Sequence, residues 1–306
     1  MVGNRVVGVV MQSLSNGENI GYIVPTPIIK HFLVDLEDGH YDGFPEDGII
    51  VQSMENPGLK SKYALGDEQT GVLVIAVLPG SPAADKIFRD DVILSVDGHK
   101  VSVDATVAFG PTGRIGLNHL IQMHQIGEHL KTEILHDGEI KQVEFNLTTA
   151  VGRYELVYRD QYDKPPTYFI YGGLVFMPLT TNYLKTWGED WVENAPPNLL
   201  TKFYDYPSSE GEEVVILTTL LPANVNVGYH EYEDLIITAV NGNEIHNLKD
   251  LIKEVERGQG QPFVSFTEKS GIKIVLDRNQ ADKELDAILN TYKIPSDRSP
   301  NISSSN

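Results

Sequence analysis

Asp90–Gly98 reads D-D-V-I-L-S-V-D-G, and Asp234–Gly242 reads D-L-I-I-T-A-V-N-G. Each is a short β-branched run closed by Asp-Gly or Asn-Gly, the pattern of a strand that ends in a tight turn. A pattern that returns once, over a long separation, is not a solenoid, which stacks short units at least three deep. It predicts two domains of one kind in tandem.

The surroundings of the two copies repeat in the same order. Upstream lie the apolar strands Val72-Leu73-Val74-Ile75-Ala76-Val77 and Val214-Val215-Ile216-Leu217, followed by Pro79 and Pro222. Downstream, Leu117, Leu120 and Ile121 in the first copy and Leu248, Leu251, Ile252 and Val255 in the second have the spacing of one buried face of a short helix. Asn247 is placed to cap the second helix. Each unit closes with two strands around a turn, at Asp137-Gly138 and at Ser270-Gly271. Each opens with glycine before an apolar strand, Gly48-Ile49-Ile50-Val51 and Gly173-Leu174-Val175-Phe176. The fold class expected is mainly β with short helices.

This order resembles the PDZ domain in the circularly permuted form found in bacterial and plant proteases, over about residues 40–148 and 168–278. The resemblance implies that a partner peptide adds as a strand beside the Gly-φ-φ strand while loop amides take its terminal carboxylate. The implied peptide-binding residues are Asp47, Gly48, Ile49, Ile50, Leu117, Leu120 and Ile121 in the first unit. In the second they are Gly172, Gly173, Leu174, Val175, Leu248, Leu251 and Ile252. The alternative for each apolar member of this set is plain core.

The chain has 306 residues, enough for two ordinary domains and a partial third element. A formal charge of −19 argues against nucleic-acid partners, since duplex binding relies on Lys and Arg displacing counterions. No apolar run is long enough to span a bilayer, and the first residues lack a basic segment followed by an apolar one, so no membrane partner and no export signal are expected. There is no cysteine, which excludes disulfides and thiolate chemistry. The compartment stays open.

Residues 1–34 stand outside the repeat. Arg5 to Val10 reads as a buried strand, Ser13 to Asn19 as a loop, Ile20 to Val24 as a second strand and Pro27 to Val34 as a helix with proline in its first turn. Two strands and a helix cannot close a core alone. The run V-V-G-V-V-M-Q-S-L, then E-N-I-G-Y-I-V-P-T-P-I-I-K-H-F-L, resembles the last two strands and closing helix of the chymotrypsin-like domain in HtrA/Deg (protease Do-like) serine proteases. The likeness to the plant-type branch with two PDZ domains continues through Gln52–Leu59, Gly71–Val74, Phe169–Thr180, Gly188–Trp191, Val240–Gly242 and Ile294-Pro295. The expected architecture is therefore the tail end of a chymotrypsin-like β-barrel (1–34), PDZ domain 1 (40–148) and PDZ domain 2 (149–294), with residues 295–306 disordered.

No Gly-x-Ser-Gly-Gly occurs in the sequence, and Ser81 in Pro79-Gly80-Ser81-Pro82 lacks oxyanion-hole glycines and a recognisable His orienter. A triad needs nucleophile, base and orienting carboxylate together, so no catalytic residue is expected in this chain as it stands. A truncated sequence and a genuine noncatalytic relative both fit. No metal and no cofactor are expected. His119, His124 and His129 recur at five-residue steps, about 140° apart on a helix, and share no face. Glu210, Glu212, Glu213 and the acidic run 35–38 lack the spacing and turn glycine of a calcium loop and read as solvated linker. Gly110-Pro111-Thr112-Gly113 lacks a phosphate-loop lysine and reads as a plain loop.

The second unit carries an insertion, 177–213, with Trp187, Trp191, Phe203, Tyr204 and Tyr206 among prolines. Such aromatics bury against their own domain or a partner subunit. The resemblance implies assembly as a trimer or a multiple of trimers. After Asp277, Leu285, Ile288 and Leu289 mark one face of a C-terminal helix. The function expected is peptide recognition and oligomer building for a Deg-type endopeptidase, acting on peptides or unfolded-protein segments; the alternative is a stand-alone PDZ scaffold or chaperone-like adaptor.

The first groove departs from the PDZ pattern. The position before the loop glycine is usually apolar, yet here it is Asp47, preceded by Glu46. One like-charge pair at about 4 Å costs roughly 1 kcal/mol in water and about 4 kcal/mol at an effective dielectric of 20. Two carboxylates beside the amides that should receive a terminal carboxylate predict poor binding of C-terminal peptides there, and a preference for internal segments or for packing on a neighbouring domain.

Overall fold

The computed structural model describes residues 6–13, 21–66, 69–162 and 164–302. The chain divides into two compact units, Met1–Tyr154 and Glu155–Asn306.

The first unit opens with the antiparallel pair β1 (Gly8–Ser13) and β2 (Gly21–Pro25), followed by α1 (Thr26–Asp35) with a proline in its first turn. Its body comprises β3 (Ile49–Gln52), α2 (Pro57–Lys62), β4 (Val72–Val77), β5 (Val92–Val96), β6 (His99–Lys100), β7 (Thr106–Phe109), β8 (Gly113–Gly116), α3 (Asn118–Gln122), β9 (His129–His136) and β10 (Glu139–Asn146). The main sheet is antiparallel in the order β10-β9-β5-β4-β3, with β6 beside β5. Because side chains alternate across a strand, β4 and β5 serve two cores. Val72, Val74, Ile93 and Val96 face Leu117, Ile121 and Leu130, while Leu73, Val92 and Leu94 face Met54 and Leu65. This explains why both strands read as continuous apolar runs.

The second unit comprises β11 (Phe169–Tyr171), β12 (Leu174–Pro178), α4 (Thr181–Leu184), α5 (Trp191–Asn194), α6 (Pro197–Phe203), β13 (Val215–Leu220), β14 (Leu235–Val240), β15 (Asn243–Glu244), α7 (Leu248–Arg257), β16 (Phe263–Glu268), β17 (Lys273–Asp277) and α8 (Arg278–Tyr292). The sheet order is β11-β12-β13-β14-β16-β17, with β15 beside β14. Leu248, Leu251, Ile252 and Val255 of α7 are buried in its core, and the Asn247 side chain caps that helix by accepting from the Asp250 amide at 2.9 Å.

The repeated stretches Asp90–Gly98 and Asp234–Gly242 repeat in conformation as well. Asp90 and Asp234 both take positive φ, at 75° and 55°, and so do the turn pairs Asp97-Gly98 and Asn241-Gly242. Two successive residues with positive φ are what a two-residue hairpin of the primed type requires. Each turn is tied to the neighbouring strand in the same way: the Asp97 and Asn241 amides donate to Lys131 O and Ser265 O, both at 2.8 Å. Asp90 and Asp234 each accept a tyrosine hydroxyl, Tyr63 and Tyr183, at 2.5 Å.

Several regions differ from the sequence-based expectation. The strand expected to be buried near the N-terminus is largely exposed, with Val10 at 76% and Met11 at 66%, and Leu33 on α1 at 59%, because one hairpin and one helix offer no second layer to cover them. Residues 1–5, the expected loop residues 14–19 and Ile20 of the expected second strand lie outside the described residues. The acidic run 35–38 is not all solvated: Asp35 is buried and accepts from the Gly43 and Asp42 amides. Glu213 is likewise no linker residue. It accepts from the Leu248 amide at 3.0 Å at the start of α7, and burial pushes its carboxyl above the usual range.

The expected disordered tail is ordered as far as residue 302. Ser299 is fully buried, its amide donates to Tyr168 O at 3.1 Å, the Ile170 amide donates to Asp297 O at 2.6 Å, and Phe169 pairs antiparallel with Arg298. Residues 303–306 lie outside the described residues. The aromatic insertion folds onto the second unit itself: Trp187 packs edge-on to Tyr183 and Trp191 edge-on to Phe203, over a small core of Leu179, Leu184, Leu199 and Ile216. Tyr204 and Tyr206 remain exposed.

Candidate peptide-binding site

Strand addition needs a free sheet edge beside a loop with available amides. In the first unit β3 is the last strand of its sheet and pairs only with β4 among the described residues. Ile49, Val51 and Leu120 pack against the core and remain half-buried, while Leu117 and Ile121 are fully inside it. Ile50 is half-buried as well.

The loop before β3 is fixed by Gly48 at φ 76°, where an added Cβ would lie 2.1 Å from Ser81 Cβ. Only glycine fits that approach. The 78–83 turn holds the loop through Leu78 N to Gly48 O at 2.8 Å and Ala83 N to Asp47 O at 3.2 Å. Ser81 Oγ is buried with no hydrogen-bond partner, so it has no base to activate it.

The two acids of this loop have different fates. Glu46 turns away from the groove, its carboxylate accepting from the Gly152 and Arg153 amides at 3.2 Å each, so it does not flank the loop amides as expected. Asp47 is half-buried and accepts from the Ile49 amide at 3.0 Å. Burial pushes its carboxyl up to about 6; the Ile49 amide opposes that rise and the charge of Glu46 adds to it.

The second unit departs from the expectation more strongly. Gly172 and Gly173, at φ 56° and 82°, form a two-residue turn that folds β11 back along β12 in the register Tyr171↔Leu174, Ile170↔Val175 and Phe169↔Phe176. Leu174 and Val175 thus lie on a strand paired on both sides, with β13 on the other edge. A strand can add beside them only if β11 leaves. Asn226 pins the turn: its Nδ2 donates to Gly172 O and Leu221 O, both at 2.9 Å, and its Oδ1 accepts from Ala223 N at 3.0 Å. Leu248, Leu251 and Ile252 pack in the same core as Phe169 and Tyr171.

The three histidines diverge. His119 packs edge-on to Phe109, His124 lies between Asp97 and Glu128, and His129 faces Glu144. Among the described residues no group of three or more His, Asp or Glu side chains is placed to hold a metal ion, and no helix is long and apolar enough to cross a membrane.

The PDZ domain family matches residues 48–147 and again residues 157–301. Putative protease Do-like 3, mitochondrial, of Arabidopsis thaliana is 36% identical over 97% of this chain and 51% of its own length. Protease Do-like 4, mitochondrial, from the same plant is 35% identical over 97% of the chain and 54% of its own. Protease Do-like 2, chloroplastic, is 33% identical over 93% and 46%. The chain spans about half the length of these relatives. A solved HtrA-type protease, AlgW with a decapeptide, aligns over 47% of this chain and 42% of its own with 19% identity and a TM-score of 0.35. With two PDZ domains, and similarity to protease Do-like proteins running along nearly all of its sequence, this chain belongs to the protease Do-like (HtrA/Deg) family.

Proposed function

We propose that this chain is the peptide-recognition and oligomer-building region of a Deg-type endopeptidase, without catalytic machinery of its own, and that the first PDZ domain presents its open groove. The observation that carries this is the free edge of β3 beside the Gly48 loop, set against a second unit whose equivalent strand is paired on both sides. The exposed apolar faces of β1, β2 and α1 support a larger protein body over the N-terminal element. The exposed Tyr204 and Tyr206 on the aromatic insertion are of the type enriched at subunit contacts.

Titration of the isotope-labelled chain with a hydrophobic peptide should shift the amides of residues 47–52 and leave those of 172–178 in place. Shifts confined to the second set would refute the assignment of the groove. The chain should also fail to react with a fluorophosphonate probe, because among the described residues no serine hydroxyl is hydrogen-bonded to a histidine. Labelling that disappears on replacing one internal serine would overturn that.

A further inference from the structure

This inference rests on the first groove being the peptide site. In a strand-addition groove the loop amides ahead of the Gly-φ-φ strand are the donors for a ligand's terminal carboxylate. Here one of them, Ile49 N, already holds a carboxylate, the Asp47 Oδ1 two residues earlier in the same loop. The geometry is an Asx turn, in which a short acidic side chain bonds the backbone two positions on. It also places a negative charge where the ligand's own charge would have to sit.

We propose that Asp47 is a resident anion in the carboxylate loop of the first groove, so that the groove takes internal segments while Asp47 is charged and admits a C-terminal carboxylate when Asp47 is neutral.

The surroundings favour a change of charge state over displacement. The 78–83 turn, which packs on the loop, contributes Leu78, Pro79, Gly80, Ser81, Pro82 and Ala83, none of them ionisable. Strands β3 and β4 contribute no ionisable side chain either. On α3 the sole ionisable side chain is His119, which packs on Phe109. The 149–153 segment, which pairs with the loop at Pro45 and Glu46, brings Arg153, whose backbone amide holds the Glu46 carboxylate. Among the described residues Glu46 is the neighbouring charge that acts on Asp47, and its sign raises the Asp47 carboxyl further. With the midpoint at about 6, Asp47 is ionised at pH 7.5 and mostly protonated at pH 5. A free C-terminal carboxylate, with a pKa of about 3.5, stays ionised at both. A protonated Asp47 also gains an O–H with which to donate to the incoming carboxylate.

The test uses the full chain and an N-acetylated peptide ending in three valines, as the free acid and as the C-terminal amide, by calorimetry at pH 7.5 and pH 5. The unmodified chain should bind the amide at least as well as the acid at pH 7.5. The acid should gain about tenfold relative to the amide at pH 5, the ratio expected from about 1.4 kcal/mol of charge repulsion relieved. Asp47→Asn keeps an Oδ1 acceptor for Ile49 and should make the ratio independent of pH. Asp47→Ala frees the amide and should favour the acid at both values. Amide exchange of β3 and β4 in each variant reports that the unit is folded. A clear preference for the acid at pH 7.5, unchanged by Asp47→Asn, overturns the role of Asp47 while leaving the groove a peptide site. Failure of either peptide to bind any folded variant overturns the peptide site, and this inference with it.

Discussion

Gly173→Ala should cost the second unit about 2–5 kcal/mol, from about 1–2 for a left-handed residue with a side chain and the rest from overpacking. The added methyl would lie 2.4 Å from the backbone oxygen of Leu221 and 2.4 Å from Asn226 Nδ2, on a backbone at φ 82°. Neither neighbour can step aside. Leu221 N donates to Gly173 O at 2.7 Å, and Asn226 is held by three hydrogen bonds of its own. Hydrogen exchange checks this within the folded chain: protection of β12, β13 and β14 should fall by well over tenfold, while the strands of the first unit keep theirs. Gly242→Ala is the internal control, since it shares a positive φ of 84° but has open space around it, and so carries the conformational part alone. Equal effects of the two substitutions would show that the Gly173 neighbourhood relaxes.

The contrast between Gly173 and Gly242 shows where sequence reading reaches and where it stops. The hairpins at Asp97-Gly98 and Asn241-Gly242 were legible because turn chemistry is local: residues that tolerate positive φ sit between β-branched runs, and both copies obey the same rule. The faces of α7 were legible from spacing and its cap from Asn247, since periodicity and capping are also local. What Gly172-Gly173 does was not. The pattern says that the backbone turns there, but not that the three residues before the turn come back to fill the edge of the strand after it. Pairing partners are set by long-range competition among strands.

The tail failed for a related reason. Ser296 to Ser299 carries polar side chains, and composition alone reads that as disorder. Its attachment runs through backbone groups, Ile170 N to Asp297 O and Ser299 N to Tyr168 O, which composition does not record. Arg298 adds ion pairs to Asp297 and Glu256, and its guanidinium lies 5.2 Å from the Phe169 ring centroid. In the first unit, Asp47 was visible as an acid at a position that the PDZ pattern usually keeps apolar, and the order Asp-Gly-Ile carries the signal of an Asx turn. The divergence of Glu46 needed the 149–153 segment, whose neighbour in space is distant in sequence.

Asn226 is expected to be the most sensitive polar side chain in the second unit. It is fully buried, and its amide joins the Gly172 carbonyl, the Leu221 carbonyl and the Ala223 amide. The side-chain orientation follows from those partners, because only an NH2 group can face two carbonyl oxygens. Asn226→Ala leaves three backbone groups without their partner, the Gly172 carbonyl buried and the Leu221 carbonyl and Ala223 amide part-buried; at about 1–3 kcal/mol for each, less where water reaches the part-buried pair, the loss should be about 3–5 kcal/mol. That is a large share of the roughly 5–15 kcal/mol typical of a domain. Asn226→Asp separates the donor from the packing, since it keeps the shape and the acceptor for Ala223 but turns an oxygen toward two others. A carboxylate there is disfavoured by burial and by both carbonyls, so its folded pKa must lie above the unfolded value of about 3.9. The sign follows: the folded state holds the proton longer, so stability relative to the parent is highest at low pH and falls by about 1.4 kcal/mol per pH unit as pH rises from the unfolded to the folded pKa. Denaturant unfolding of the second unit between pH 4 and pH 7 should therefore show the Asp variant losing ground with rising pH, while the Ala variant stays parallel to the parent. If the Asp variant also ran parallel, Asn226 would be filling space rather than holding the turn by its two donated bonds.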